Sequence, residues 1–460
     1  MNARRSATSL VLALLLASCS TQSPPESLES SSVAASRLPI PSEGAAAFIA
    51  DVERISADLE ALQAAADANG GIRTAGTPGY DASVDHVAAA LEEVGFAVEL
   101  PEVSFIGFRE LPGTRLEVAG TVVEGADELH ALIYSPGGDV SGPVAVLSGS
   151  GCDPADFAGI PDGAIALTTM GGCFRLDQAI NAADAGVAAL IVGYPGRGPG
   201  EIFRPTLIDP EAIDIPVVSV TDATVDLLAS ADEARLVVAT EREPSTFHNV
   251  IAQLGDGPSV VMLGGHLDSV LDGPGINDNG SGVAALIEIA RGLAATGVPD
   301  GWAVRIGLWG AEEFGTIGSR AYAATLGDEV TAYLNLDMTG SVSGANLVYD
   351  EAGAPPGSTD ITEAFDAWFA DNGLESEHVD IGGSSDQFGF AEAGIPTGGL
   401  FAGASESGSA SQPGAGGGGT AMDPCYHIAC DTIDNVDLER VATFTEATFA
   451  VTLALMGSEP

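Results

Sequence analysis

Beyond Glu243 the chain alternates short apolar runs with glycine-rich polar loops and a helical stretch, and this alternation restricts the folds open to it. Ser259 to Leu263, Ala303 to Trp309 and Thr331 to Leu336 read as buried strands, with Ser281 to Ala295 as a helix between the first two. The expected fold class is α/β, with a mixed, largely parallel central sheet flanked by helices. In such sheets ligands gather beyond the carboxyl ends of the strands.

Polar residues cluster at those ends. The first strand runs into Gly264-Gly265-His266-Leu267-Asp268-Ser269, and Asn277-Asp278-Asn279-Gly280-Ser281-Gly282 precedes the helix. The second strand runs into Ala311-Glu312-Glu313-Phe314-Gly315, the third delivers Asp337, and Cys425-Tyr426-His427-Ile428-Ala429-Cys430-Asp431 lies near the C-terminus. Histidines and carboxylates at strand exits are ligand types that zinc accepts, with positions left open for water. Of the adjacent Glu312 and Glu313, one can bind metal while the other stays unligated as a general base. Asp278, flanked by small residues that allow close backbone approach, could bridge two cations.

Each piece alone has a plainer reading. His266 would be a hydrogen-bonded loop histidine, Asn277 to Gly282 a turn with an N-cap at Ser281, and Glu312-Glu313 a solvated pair. Their joint order favours a co-catalytic metal site. His86, His130, His248 and His378 lack such company and read as structural.

Composition narrows the function classes further. The 460 residues carry 65 acidic side chains against 16 basic ones, a net charge of −49, and contain no basic tract. Such a chain repels phosphate backbones, so no nucleic-acid partner is expected. All the basic residues are arginine. Without lysine, Schiff-base enzymes, Walker-type phosphate loops and serine-lysine hydrolases are excluded.

Arg4 and Arg5 followed by the apolar run Leu10 to Ala17 read as a signal peptide over 1–18, because the run is shorter than the roughly 20 residues that span a bilayer. Leu16-Ala17-Ser18-Cys19 resembles a bacterial lipobox, which makes Cys19 the expected lipidation site and places the protein on the outer side of the cell membrane, lipid-anchored. Residues 19–44, rich in Ser, Pro and Glu, read as a tether. Two amphipathic helices, Ala45 to Ala66 and Asp81 to Val94, follow in an N-terminal part spanning 45–111. Short β-branched runs then mark a separate strand-rich module over 112–242, ahead of a catalytic domain over 243–460. In an oxidising compartment the remaining cysteines pair most simply as Cys152 with Cys173 and Cys425 with Cys430. A structural zinc site on these thiols competes poorly, since Cys425 and Cys430 have no complementary close pair.

Gly264 to Val270, Ile276 to Gly282, Ala311 to Gly315, Asn335 to Met338 and Cys425 to Asp431 resemble the metal motifs of the two-zinc aminopeptidases related to aminopeptidase Y and to secreted bacterial leucyl aminopeptidases. Phe388 to Ala404 extends the likeness, which covers nearly everything after the tether. Cys152, Gly171-Gly172-Cys173-Phe174 and Gly186 to Val192 resemble a protease-associated (PA) domain inserted in some members. The resemblance implies a zinc exopeptidase fold with two zinc ions per chain, His266 and Asp337 on one, Glu313 and His427 on the other, and Asp278 bridging. It further implies Glu312 as base, Asp268 as the residue that orients His266, and Tyr426 as the group that steadies the oxyanion. Met338 and Phe401 match positions lining an apolar pocket for the N-terminal side chain. In one departure, Ser384 stands where some secreted relatives carry Arg before the Ser-Asp pair, and Gln387 where relatives often carry His after it.

The implied activity is hydrolysis of the N-terminal residue, an apolar one such as leucine, from peptides with a free N-terminus. Because every implied ligand lies between His266 and His427, the inserted module is expected to govern substrate choice more than chemistry. A glutaminyl-peptide cyclase on a similar scaffold is the alternative, although a one-metal cyclase does not need His266. A non-catalytic binding protein on the same fold should have lost ligands, and none is missing.

Overall fold

The computed structural model describes residues 48–405 and 421–457. The signal peptide, Cys19 and the tether therefore lie outside the described residues. Among those described, no helix is long and apolar enough to cross a membrane.

The central sheet has eight strands in the order Ala97–Glu99, Val250–Leu254, Trp302–Trp309, Ser259–His266, Val330–Asp337, Thr397–Phe401, Leu347–Tyr349 and Glu377–Val379. Trp302–Trp309, Ser259–His266, Val330–Asp337 and Thr397–Phe401 run parallel to their neighbours, and antiparallel strands flank this group. Parallel strands covered on both faces become near-continuous apolar runs. Ser259–His266 shows this, with every residue after Ser259 buried. Helix Gly282–Thr296 packs on it with Val283, Leu286, Ile287, Ile289 and Leu293 all buried, and the C-terminal helix Leu438–Gly457 covers that helix in turn.

Two strands extend further than their apolar runs. His266 and Asp337 are the last residues of their strands, so the ladder itself sets where both side chains emerge. The first helix starts later than its periodicity, at Val52, because the Asp51 side chain accepts the Arg54 amide and caps it. Phe48 precedes that cap, yet its ring stacks on Phe449 at 4.0 Å, so the apolar pattern outruns the helix. The second helix begins at Pro78, which suits a first-turn position with no amide to satisfy.

Strands Glu102–Glu110 and Thr240–His248 pair as an antiparallel ribbon that leads the chain away from the main sheet and back. Between them lies a second eight-stranded sheet, from Arg115–Val118 to Glu233–Val238, with helices Arg175–Asp184 and Asp222–Ala229. Cys152 is bonded to Cys173 within this module, and Cys425 to Cys430 in the segment before the C-terminal helix.

Candidate active site

Three adjacent parallel strands end at the same edge of the main sheet. Ser259–His266 lies between Trp302–Trp309 and Val330–Asp337, so His266, the Glu312-Glu313 turn and Asp337 leave the sheet side by side. Asp278 reaches this edge from the turn Ile276–Ser281. That turn is held from below: Asp431 accepts the amides of Asn277 and Asp278 at 2.9 and 3.0 Å, and Asn279 accepts the amides of Gly282 and Met338. Gly275, just ahead of it, has φ +63°, and a Cβ there would lie 2.4 Å from the Asp278 carbonyl oxygen.

Asp278 is the centre of the arrangement. Its Oδ1 is 3.1 Å from His266 Nε2, and its Oδ2 is 3.1 Å from His427 Nε2. Asp337 Oδ1 is 3.4 Å from the same His266 nitrogen, and Glu313 Oε2 is 3.1 Å from the same His427 nitrogen. Two ligand groups therefore meet at one shared carboxylate. Ligand atoms of His266, Asp278 and Glu313 all lie within 4.8 Å of one another.

Electrostatics show what this donor set lacks. Burial disfavours the charged form of His266, but Asp337 and Asp278 outweigh it and raise its pKa well above 6.5. His427 is raised in the same way against burial, by Glu313 and Asp278. Burial pushes Asp278 up, but both histidines draw it below 3.8. Even so, Glu313 Oε1 and Asp337 Oδ1 are buried with no hydrogen-bond partner among the described residues. Buried carboxylate oxygens without donors, beside imidazole nitrogens, are the chemistry of a divalent-cation site, and the residues fit zinc.

Glu312 differs from its neighbour. Its carboxylate makes none of these histidine contacts, although it lines the same cavity. Burial raises its pKa well above 4.5, with His266 opposing and Glu313 reinforcing the shift. Asp268 holds His266 in a different way from the one expected. His266 Nδ1 is 3.0 Å from the main-chain oxygen of Asp268 and 3.7 Å from its carboxylate, whose Oδ1 accepts the Glu312 amide at 3.1 Å. Asp268 thus ties the histidine loop to the glutamate loop.

A cavity of about 450 Å³ opens over these groups. Met338, Phe401 and Tyr426 line it from the main domain, and the buried Met338 and Phe401 pack in one apolar cluster. The Tyr426 ring stacks on His427 with centroids 3.8 Å apart. Ser384 borders the cavity, whereas Gln387 turns away and donates to Glu351 at 2.5 Å. Ser385 donates to Asp337 Oδ2 at 2.7 Å and so orients that carboxylate. Ala311, Met338 and His427 have φ of +55°, +48° and +62°. Such left-handed backbone persists at non-glycine residues only where packing imposes it.

Several supporting residues were not legible as such. Arg73, fully buried, donates to the carbonyls of Pro274 at 2.9 Å, Gly275 at 2.5 Å and Leu267, and clamps both ligand loops together. Burial lowers its pKa to about 10 while Asp268, Asp431 and Asp278 favour its charge. In the sequence it sits in a turn-rich segment with no mark of this role. Phe203 and Phe174 of the second sheet's module also line the cavity, and only the tertiary arrangement brings them there.

Residues 249–452, which include all five converging side chains, match Peptidase family M28, and residues 140–228 match the PA domain. An aminopeptidase of Pseudomonas aeruginosa is 37% identical over 424 residues, covering 86% of this chain and 79% of that protein. The chain belongs to peptidase family M28. A second relative, a probable lipoprotein aminopeptidase of Mycobacterium tuberculosis, is 38% identical over 410 residues, or 84% of this chain and 81% of its own. A solved zinc aminopeptidase from Bacillus subtilis superposes with a TM-score of 0.67 at 25% identity, covering 87% of this chain and 94% of that one. M28 membership and the inserted PA domain agree with the mixed α/β fold described above.

Proposed function

We propose that this M28 protein is a zinc-dependent aminopeptidase that removes the first residue, preferably an apolar one, from peptides with a free N-terminus. The observation that carries the reading is Asp278, which turns one carboxylate oxygen toward each of two histidines while Asp337 and Glu313 face the same two nitrogens. That geometry supports two zinc ions, one held by His266 and Asp337, the other by Glu313 and His427, with Asp278 shared. Bound there, zinc supplies Lewis acidity toward the scissile carbonyl and lowers the pKa of water.

The chain's own groups do the rest. Glu312, half-buried in the cavity lining and free of those histidine contacts, takes a proton from water and returns it to the leaving amine. Asp268 keeps His266 and Glu312 in register through its main-chain oxygen and its carboxylate. Tyr426, bordering the cavity, steadies the charge that develops on the carbonyl oxygen. Met338 and Phe401 offer an apolar face to the side chain of the first residue. Residues 45–111 and 243–460 form the peptidase domain in this reading, with 112–242 as the insert.

Amino-acid release from a panel of free and N-blocked peptides, with zinc counted on the same sample, tests the reading. Release from free peptides alone, with two zinc ions per chain, is expected. Equal cleavage of blocked peptides, or full activity with one zinc, would refute it. We also propose that lipid on Cys19 anchors the protein to the outer face of the cell membrane, a reading supported by the likeness to the named lipoprotein relative. Fatty-acid label retained by Cys19→Ala would sink that assignment.

A further inference from the structure

We infer that Phe203, supplied by the inserted module, is a positioning residue for His427. The inference rests on His427 being a zinc ligand, as proposed above. A ligating histidine ordinarily donates its second ring N–H to an acceptor, which fixes the ring. His266 obeys this through the main-chain oxygen of Asp268, 3.0 Å from its Nδ1. His427 does not: its Nδ1 is buried with no hydrogen-bond partner among the described residues. Its Nε2 faces Asp278 and Glu313, but with no acceptor on Nδ1 another contact must brace the ring on that side.

Aromatic packing does this. Tyr426 stacks on one side of the His427 ring, and Phe203 meets both rings nearly edge-on, 5.7 Å from His427 at 84° and 5.6 Å from Tyr426 at 71°. Phe203 is 8% exposed and itself packs on Tyr194 at 4.8 Å. The next residue pins it to the main domain. Arg204, also buried, donates to Asp272 at 2.9 and 3.1 Å, to the Ala131 carbonyl at 2.8 Å and to Glu110. Asp272 lies in the segment that leads from Asp268 to Asp278, so the module and the metal loops share one anchor. Phe203 thereby takes the place of the missing hydrogen bond, and the module contributes to chemistry as well as to substrate choice.

The test compares Phe203→Ala, Phe203→Leu and Phe203→Tyr with Phe174→Ala in the full-length protein. Phe174 is 50% exposed and lines the same cavity, but has no ring contact with His427 among the described residues. Zinc affinity is read by chelator competition, the ligand field by cobalt substitution, and kcat and KM at saturating zinc. Phe203→Ala and Phe203→Leu should weaken one metal equivalent by about 10- to 100-fold, the usual effect of losing an outer partner of a metal ligand. The cobalt spectrum should change, and kcat should fall more than KM rises. Phe203→Tyr should restore all three, and Phe174→Ala should alter KM alone. Parent-like zinc affinity in Phe203→Leu, while His427→Ala loses an equivalent, would overturn the inference and leave the reading of His427 standing. If His427→Ala itself keeps both equivalents, the metal role of His427 falls and the inference with it.

Discussion

Glu312 and Glu313 are neighbours in one turn, and replacing each by glutamine should separate a base from a ligand. Glu313 is buried and Glu312 half-buried, so the isosteric amide keeps their packing. Glu313 Oε2 lies 3.1 Å from His427 Nε2, whereas the Glu312 carboxylate makes no such contact. Glu312→Gln should therefore keep its zinc and most of its substrate affinity. Turnover should fall by about 100- to 10,000-fold, the usual scale for loss of a general base. That range equals about 3 to 5 kcal/mol in the barrier. Glu313→Gln removes an anion from the site and offers an amide, a poor zinc ligand, so metal affinity should drop first and activity with it. The assay counts zinc in both purified variants and follows leucine release at saturating metal. Loss of metal in Glu312→Gln, or near-normal turnover, would refute the division of roles.

Arg73→Leu strips donors from three buried carbonyls, at about 1–3 kcal/mol for each group left unsatisfied. Urea unfolding should show a loss of about 3–9 kcal/mol together with weaker zinc binding, and a loss under about 1 kcal/mol would contradict the clamp. His130 is buried beside Asp272, Arg204 and Glu110, and burial is the largest of the influences that depress its pKa below 6.5. Protons then bind the unfolded chain first, so its contribution to stability is full above pH 6.5 and is lost as pH falls toward the folded value. His130→Gln should flatten thermal stability between about pH 6.5 and 5 relative to the parent, and an unchanged slope would count against this. Replacing Cys152 and Cys173 by serine opens a loop with a separation of 21 residues. The unfolding free energy should drop by about 3 kcal/mol, and no change in the denaturation midpoint would show that the bridge does not constrain the unfolded chain.

Local pattern carried much of this protein's design in plain view. Apolar runs ending in His266, Glu312-Glu313 and Asp337 are legible because strand periodicity and glycine-rich exits are properties of a few consecutive residues. The Cys152–Cys173 and Cys425–Cys430 bridges were legible because the nearest cysteines close the shortest loops. Helix starts were less so: apolar spacing continues through Phe48, but the backbone obeys the cap at Asp51. Other features depend on contacts that no local rule contains. Arg73 meets Ser269 across 196 positions, and Glu288 answers Arg54 across 234. Which oxygen of Asp278 faces which histidine follows from how Asp431 and Asn279 seat the turn. That Asp268 holds His266 by its main chain, and that a phenylalanine of the inserted module leans on His427, follow from the docking of whole elements. Sequence determined which ligand types stand at the strand exits, because that pattern is local. The tertiary structure decided how each is aimed and braced, because aiming a side chain takes contacts from segments that only folding brings together.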